Sequence, residues 1–314
     1  MLKYLIVPLA SNSTSFCYYT PNDEKGIISE ETLKAAIDWA LKENVSVQFV
    51  YPKEKLSENI TTLIDGIDHI EIVPNCAEDA GLVSNADVVV FDNWNDFADY
   101  SFVKNRTYII RTDIESLSKN FDALCSALKI ADRINLIFSD TVKIDDAVLN
   151  EYRIFLNRLI PIVVYEYKKR HMVQLNVLTD RLFLKEMNNC NAGSEVVTIA
   201  PNGEFYICPA FYLDNAPNIG DLIKGLDIKN GQLYKISHAP ICRICDAYQC
   251  KRCVWLNKLY THEVNTPGHE QCVVSHIERN ASRLLLTELQ TYGILDDCKI
   301  EKIAYLDPFE KIEK

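Results

Sequence analysis

The sequence predicts an α/β protein: a partial or full (βα) barrel-like N-terminal domain followed by a small, cysteine-rich α+β domain. Its 314 residues suit two domains. Apolar strands alternate with amphipathic helices over the first 180 residues, which predicts a parallel sheet. Seven of the eleven cysteines lie between Cys190 and Cys272. We therefore expect domains at residues 1–180 and 186–290, with a C-terminal tail at 291–314. Periodicity leaves a flat doubly wound sheet open as the alternative.

The first strand and helix set the pattern. Lys3–Pro8 is a continuous apolar run, typical of a strand that is buried on both faces. A helix is expected after Ser29, an N-cap residue followed by two glutamates in the first turn. The apolar stripe of this helix is expected to consist of Leu33, Ala36, Ile37, Ala40 and Leu41.

Further units repeat this pattern along the chain. The other predicted strands are Val45–Tyr51, Ile70–Val73, Asp87–Phe91, Thr107–Arg111, Asn135–Phe138 and Met172–Val177. The predicted helices between them are Lys53–Asp65, Ala77–Leu82, Asp113–Lys129 and Asp145–Arg158. Some six or seven such repeats are what favours a barrel-like arrangement.

Composition and charge exclude several classes of function. The net charge of −11 argues against nucleic-acid binding, because phosphate binding needs a basic face. No apolar run approaches the roughly 18–20 residues of a membrane span, and no signal peptide is recognisable. Phosphate-binding glycine loops are missing as well. We therefore expect a cytoplasmic protein with no membrane or nucleic-acid partner.

The clustered cysteines indicate metal binding, because a reducing cytoplasm does not sustain disulfides. In the first pattern, Cys190 precedes Cys208, and a hairpin predicted from 196–200 and 204–208 would bring both toward one end of a small sheet. The second pattern is Cys-x2-Cys-x4-Cys-x2-Cys followed by a lone cysteine that opens a predicted helix, Val273–Leu289. Its members are Cys242, Cys245, Cys250, Cys253 and Cys272.

The number and spacing of these cysteines favour iron–sulfur clusters over zinc. Zinc takes four ligands, often from two Cys-x2-Cys pairs about 12–20 residues apart, whereas only four residues separate the pairs here. Seven thiolates also exceed one zinc site and fall short of two. Zinc remains open, because thiolate ligation alone does not distinguish the metals. Basic residues beside the run are candidates to offset cluster charge: Arg243, Lys251, Arg252 and Lys258.

Residues 186–290 resemble the SPASM domain, the auxiliary-cluster module of radical S-adenosylmethionine (SAM) peptide-modifying enzymes. Seven cysteines and Gly203 fall in the family's order, with the two inner spacings each one residue short. The resemblance implies two iron–sulfur clusters of the 4Fe–4S type. Cluster I would be bound by Cys190, Cys208 and Cys253, which leaves one iron open. Cluster II would be bound by Cys242, Cys245, Cys250 and Cys272.

The N-terminal half resembles a radical SAM domain that has lost its catalytic motif. In that family Cys-x3-Cys-x2-Cys follows the first strand and binds the cluster that chelates SAM. The matching positions here are Ala10, Thr14 and Cys17, and one thiolate cannot hold a cubane. The family's Gly-Gly-Glu-Pro element is replaced by Tyr51-Pro-Lys at the end of the second strand. We therefore expect no functional SAM site, and Cys17 to be a packing residue.

Together these features resemble the CXXX-repeat peptide maturases. The resemblance implies an accessory protein that binds a ribosomally made, cysteine-repeat precursor peptide, or relays electrons for an intact radical SAM partner, or does both. A second hypothesis is an enzyme that acts through the open iron of cluster I. A third is a zinc-stabilised peptide-binding module without a redox role.

Overall fold

The structure, a computed structural model, describes residues 1–22, 26–138, 144–187 and 189–301. Its strands are β1 (Tyr4–Pro8), β2 (Ser46–Val50), β3 (His69–Pro74), β4 (Val88–Phe91), β5 (Thr107–Thr112), β6 (Arg133–Phe138), β7 (Gln174–Leu175), β8 (Val196–Ile199), β9 (Phe205–Tyr206), β10 (Gly220–Asp221) and β11 (Gly225–Leu226). Its α-helices are α1 (Glu30–Glu43), α2 (Glu58–Asp65), α3 (Ala80–Asn85), α4 (Trp94–Ala98), α5 (Ile114–Lys119), α6 (Phe121–Ala127), α7 (Asp146–Lys168), α8 (Asp180–Phe183), α9 (Pro209–Leu213), α10 (Val254–Thr261) and α11 (His269–Gln290).

The predicted α/β class is confirmed, since nine of these strands form a mostly parallel sheet in the order β7-β6-β5-β4-β3-β2-β1-β8-β9. The strands β1 to β7 lie side by side in chain order, as in a barrel, without the reversal that defines a doubly wound sheet. Within the described residues β7 and β9 are the edge strands of this sheet, so the predicted barrel is partial and not closed. The short strands β10 and β11 pair separately and antiparallel.

The chain comprises two compact units, each built from two segments. Residues 1–90 and 190–239 form the first unit, and residues 91–189 with the chain from Pro240 onward form the second. This division by compactness differs from the contiguous domains at 1–180 and 186–290, which stay a prediction about the chain's modules.

In the first unit, the apolar run of β1 lies between β2 and β8, and Leu5 is opposite Val47 on one side and Val197 on the other. Helix α1 begins after Ser29, whose side chain accepts a hydrogen bond from the Thr32 backbone N–H, as predicted. Four residues of its predicted stripe are buried, but the assignment of Leu41 was wrong. Leu41 is 63% exposed, because it lies about 40° around the helix beyond Ile37, at the edge of the buried face.

In the second unit, three helices differ from their predicted bounds. The helix expected at Asp113–Lys129 is interrupted at Asn120, whose side chain donates to the Ser116 carbonyl oxygen, so α5 and α6 are separate. Helix α7 continues past the predicted end at Arg158 and includes Pro161. The helix predicted from Val273 is confirmed as α11, which begins earlier, at His269.

The long helices α7 and α11 support the second unit. They pack against each other, and the Tyr152 hydroxyl of α7 donates a 2.9 Å hydrogen bond to Glu278 of α11. Ser282, one turn later on α11, donates to the Leu178 carbonyl oxygen at 2.8 Å. Among the described residues, no helix is both long and apolar enough to cross a membrane.

Candidate metal centre

Four cysteines line one cavity in the second unit. They are Cys242, Cys245, Cys250 and Cys272, the set assigned above to cluster II, and the cavity has a volume of about 140 Å³. Its other walls are mainly apolar and comprise Met187, Pro240, Ile241, Ile244, Ala247 and Pro267. Three polar side chains complete the lining: Arg252, Ser275 and His276. We call this site the four-cysteine cavity.

Short turns and the start of a helix position the four cysteine sulfurs. Cys242 opens a 3₁₀ turn that ends immediately before Cys245. Cys250 closes a tight turn in which its backbone N–H donates to the Ala247 carbonyl oxygen at 3.0 Å. Cys272 lies in the first turn of α11, after the N-cap Gly268. The separation of 22 residues between the third and fourth ligands is thus bridged by α10 and the start of α11.

Helix periodicity adds the two polar residues of α11 that line the cavity. Ser275 and His276 follow Cys272 by three and four positions, which puts all three side chains on one helix face. His276 is only 6% exposed. No motif in the sequence includes His276, and the signal that would have singled it out is its i+4 spacing from a predicted ligand.

The sulfurs accept hydrogen bonds from backbone and side chains. The backbone N–H groups of Ala247 and Arg252 donate to the sulfurs of Cys245 and Cys250, each at 3.4 Å. His276 Nε2 lies 3.4 Å from Cys245 Sγ. The Arg252 side chain also hydrogen-bonds to Cys242, whereas the Ser275 hydroxyl donates to the Gln271 carbonyl oxygen at 2.9 Å.

Burial makes two of these thiols, Cys242 and Cys250, poor acids when no cation is present. Burial, with a smaller contribution from the charge of the neighbouring Cys250, raises the pKa of Cys242 to about 12. The pKa of Cys250 is also raised, mainly by burial. A bound metal ion stabilises buried thiolates by its positive charge, and a thiol that coordinates it is deprotonated. The cavity is therefore suited to a group with metal ions.

The donor set and the cavity volume both fit an iron–sulfur cluster. Four thiolates are the ligands such clusters take. The volume of about 140 Å³ is roughly ten times the 10–15 Å³ that one water needs, so it suits a group of several atoms. Over residues 1–22, 26–138, 144–187 and 189–301, no three His, Cys, Asp or Glu side chains converge closely enough for a single metal ion.

A buried ion-pair network fixes the loop between the second and third cysteines. The Asp246 carboxylate binds Arg279 at 2.7 Å and Arg283 at 2.6 Å, both on α11. Arg181 donates to the Asp246 carbonyl oxygen at 2.6 Å. This network ties the loop that carries three cysteines to the helix that carries Cys272. The signal for this network in the sequence is the i, i+4 spacing of Arg279 and Arg283 on a predicted helix, which the cysteine pattern does not include.

The three cysteines assigned to cluster I are not described as one site. Cys208 follows β9 in the first unit, where the predicted hairpin forms with Thr198 opposite Tyr206. Burial raises the pKa of Cys208, and charges on Cys190 and Cys17 raise it further. In the second unit, Cys253 is the N-cap residue of α10. The assignment of Cys253 to the same cluster stays a prediction.

The loop after β1 is occupied by contacts within the first unit. The Ala10 backbone N–H donates to Ser13 Oγ at 2.9 Å, and the Thr14 N–H donates to the Tyr51 carbonyl oxygen at 2.9 Å. Ala10 and Thr14 are 1% and 5% exposed. Tyr51, at the end of β2, is 3% exposed, so its ring is buried inside the unit. Cys17 is half-buried.

Solved structures share this fold, although the sequence itself matches no protein-family model and no curated protein. Polyhistidine-tagged anSMEcpe with bound AdoMet aligns with a TM-score of 0.65 at 14% identity, over 95% of this chain and 97% of that one. Native anSMEcpe with AdoMet and the Kp18Cys peptide gives 0.63, and the complex with the Cp18Cys peptide gives 0.61. Both are 13% identical and cover 93% of this chain and all of the other. The protein therefore has the fold of anSMEcpe over nearly its whole length.

Proposed function

We propose that the protein is an iron–sulfur protein that takes part in the maturation of a ribosomally made, cysteine-repeat peptide. It would bind the precursor peptide, pass electrons to an intact radical SAM partner, or do both. The observation that carries the proposal is the four-cysteine cavity, because it gathers the four thiols that the SPASM resemblance assigns to one cluster. Reduced cytoplasmic thiols suit such a centre.

Cys242, Cys245, Cys250 and Cys272 would hold cluster II. When bound, the cluster supplies one-electron transfer. The walls of the cavity around the sulfurs are mainly apolar, and the backbone N–H groups of Ala247 and Arg252 hold two of the sulfurs in place. Cys190, Cys208 and Cys253 are the proposed ligands of cluster I, on the strength of the resemblance alone.

Peptide binding is supported by the shared fold. The anSMEcpe structures with Cp18Cys and Kp18Cys peptides superpose on 93% of this chain, so the scaffold that holds those peptides corresponds to nearly all of this protein. A precursor rich in cysteine repeats is proposed from the likeness to CXXX-repeat peptide maturases. An excess of acidic residues, giving a net charge of −11, favours a basic leader segment in that peptide.

Cleavage of SAM is proposed to belong to a partner. The anSMEcpe structures contain AdoMet, but the corresponding loop of this chain has Ala10 and Thr14 where the radical SAM motif has cysteines. Both residues are buried among contacts of their own unit, and Tyr51 is buried at the end of β2. A single cysteine there, Cys17, cannot hold a cubane.

Cysteine substitutions in the full chain test the proposal. Cys242→Ala or Cys272→Ala should lower the iron and sulfide content of anaerobically purified protein by about one cluster, or about four irons. Cys76→Ala is the matched control, because Cys76 is exposed and lies outside the cysteine-rich segment. Unchanged iron in the first two variants would contradict the assignment.

Peptide binding is tested by titrating a cysteine-repeat peptide into the iron-loaded protein. Binding without chemical change supports the accessory role. Modification of the peptide by the isolated protein would instead favour an enzyme that acts at the open iron of cluster I. Zinc without sulfide would leave only the zinc-stabilised binding module.

A further inference from the structure

We infer that Arg252 and His276 set the reduction potential of cluster II, and that both raise it. The inference rests on the proposed function, because it concerns the cluster proposed for the four-cysteine cavity. Both side chains line that cavity, and both contact a cysteine sulfur. Neither residue belongs to the seven-cysteine pattern.

Arg252 brings a buried positive charge to the cysteines. It is 1% exposed and is among the largest fully buried side chains of the protein. A buried guanidinium is costly unless anions surround it. Its side chain donates to Cys242, and its charge acts on Cys250. A cluster held by four thiolates is the anion that such a charge would favour.

The backbone at Arg252 supports a specific placement of this side chain. Its φ is +27°, in the left-handed region that non-glycine residues rarely adopt. Such conformations cost about 1–3 kcal/mol and persist where the surroundings hold them. Here the side chain of Arg252 contacts Cys242, and its backbone N–H donates to Cys250 Sγ at 3.4 Å. One residue therefore contributes a backbone donor and a side-chain donor to two different sulfurs.

His276 approaches a third sulfur from the opposite element. Its Nε2 lies 3.4 Å from Cys245 Sγ. Helix α11 fixes this approach, because Cys272 lies one turn earlier on the same face. Since thiolates accept and do not donate, the imidazole nitrogen facing Cys245 carries the proton when the cluster is bound.

Hydrogen bonds to cluster sulfurs and positive charge nearby stabilise the more negative, reduced state. Both are recognised determinants of iron–sulfur potentials, together with burial. A purely structural role would predict loss of the cluster or of stability when either residue is replaced. A tuning role predicts that the cluster loads and that its potential falls. The two roles therefore differ in a measurable quantity.

The test compares redox titrations of full-length variants followed by visible and EPR spectra. His276→Leu and Arg252→Met should each keep the iron and sulfide content of the wild type. Each should lower the reduction potential of cluster II by at least about 59 mV, which is a tenfold change in the one-electron equilibrium. The redox couple that disappears in Cys272→Ala, which lacks one proposed ligand of cluster II, is assigned to cluster II. His276→Gln keeps a donor at this position, so its potential should stay near that of the wild type.

Matched controls change the same chemistry at exposed positions. Arg153→Met removes an exposed cation on α7 that does not line the cavity, and His269→Leu removes an imidazole that is 59% exposed on α11. Neither should move the couple. An unchanged potential in both test variants, or loss of cluster II from them, would overturn the inference. Wild-type protein without iron would instead refute the proposed function itself.

Discussion

Asp246 and Arg279 form a 2.7 Å ion pair whose side chains are 5% and 1% exposed. The aspartate belongs to the loop that carries the cysteine run, and the arginine belongs to α11, which carries Cys272. The pair therefore couples the two chain segments that line the four-cysteine cavity. Either charge would be strongly destabilising if it were buried without its partner. The pair therefore favours the arrangement in which these two segments are in contact.

Replacing Asp246 should destabilise the protein strongly. Asp246→Ala would leave Arg279 buried without its carboxylate, which costs about 3–5 kcal/mol in comparable sites. Urea unfolding of the metal-free protein measures this loss. Asp297→Ala, at an exposed position of the same unit, removes the same charge and should change the free energy of unfolding by less than about 0.5 kcal/mol. Equal losses in the two variants would contradict the role of the pair.

Glu278 should make stability fall as the pH rises. Burial raises its pKa to about 7, although hydrogen bonds from Tyr152 and Gln249 oppose that shift. Because the unfolded carboxyl has a pKa of about 4.3, the folded state binds more protons between these values. The protonated side chain is thus the favoured folded form, and stability is lost as pH increases from about 4.3 to about 7.

Glu278→Gln should remove that pH dependence. At pH 8 we expect the variant to be more stable than the wild type by a few kcal/mol, on the order of 3, since one pKa unit corresponds to about 1.4 kcal/mol. Unfolding free energies at pH 5 and pH 8 provide the comparison. Glu270→Gln, on the first turn of the same helix, is the exposed control. A parallel pH profile for wild type and Glu278→Gln would refute the assignment.

Cys17 should be dispensable for metal loading. A charge on Cys17 is the smallest contribution to the raised pKa of Cys208, and the SPASM pattern assigns cluster I without Cys17. We expect Cys17→Ala to keep the iron and sulfide content of the wild type. If the variant lost about four irons, Cys17 would have to be counted as a ligand.

The protein should not cleave SAM. With one cysteine among Ala10, Thr14 and Cys17, the loop after β1 has too few thiolates for the required cluster. Incubation of the chemically reduced protein with SAM should yield no 5′-deoxyadenosine, while a radical SAM enzyme assayed in parallel does. Formation of 5′-deoxyadenosine above the protein-free level would overturn this expectation.

Local sequence patterns predicted the strand–helix alternation and the α/β class, because those follow from apolar periodicity. They did not reveal where α7 ends, since a proline usually ends a helix but α7 continues through the exposed Pro161. They also did not reveal that α5 and α6 separate at Asn120. Leu41 was misassigned because it lies at the edge of the buried helix face, about 40° beyond Ile37.

The candidate site was also predicted from the sequence only in part. The cysteine spacing alone indicated metal binding, and the resemblance grouped the four residues that line the cavity. The contributions of Asp246, Arg279 and His276 depend on contacts between segments about 30 residues apart, which no local pattern encodes. Met187 reaches the cavity from a still more distant part of the sequence.

The most direct test of the account is the iron, sulfide and zinc content of the anaerobically purified wild-type protein, together with its visible absorption spectrum. We predict about seven to eight irons with matching sulfide and a broad shoulder near the blue end of the spectrum, as two clusters of the 4Fe–4S type require. One or two zinc ions without sulfide would contradict the account and would leave a zinc-stabilised binding module.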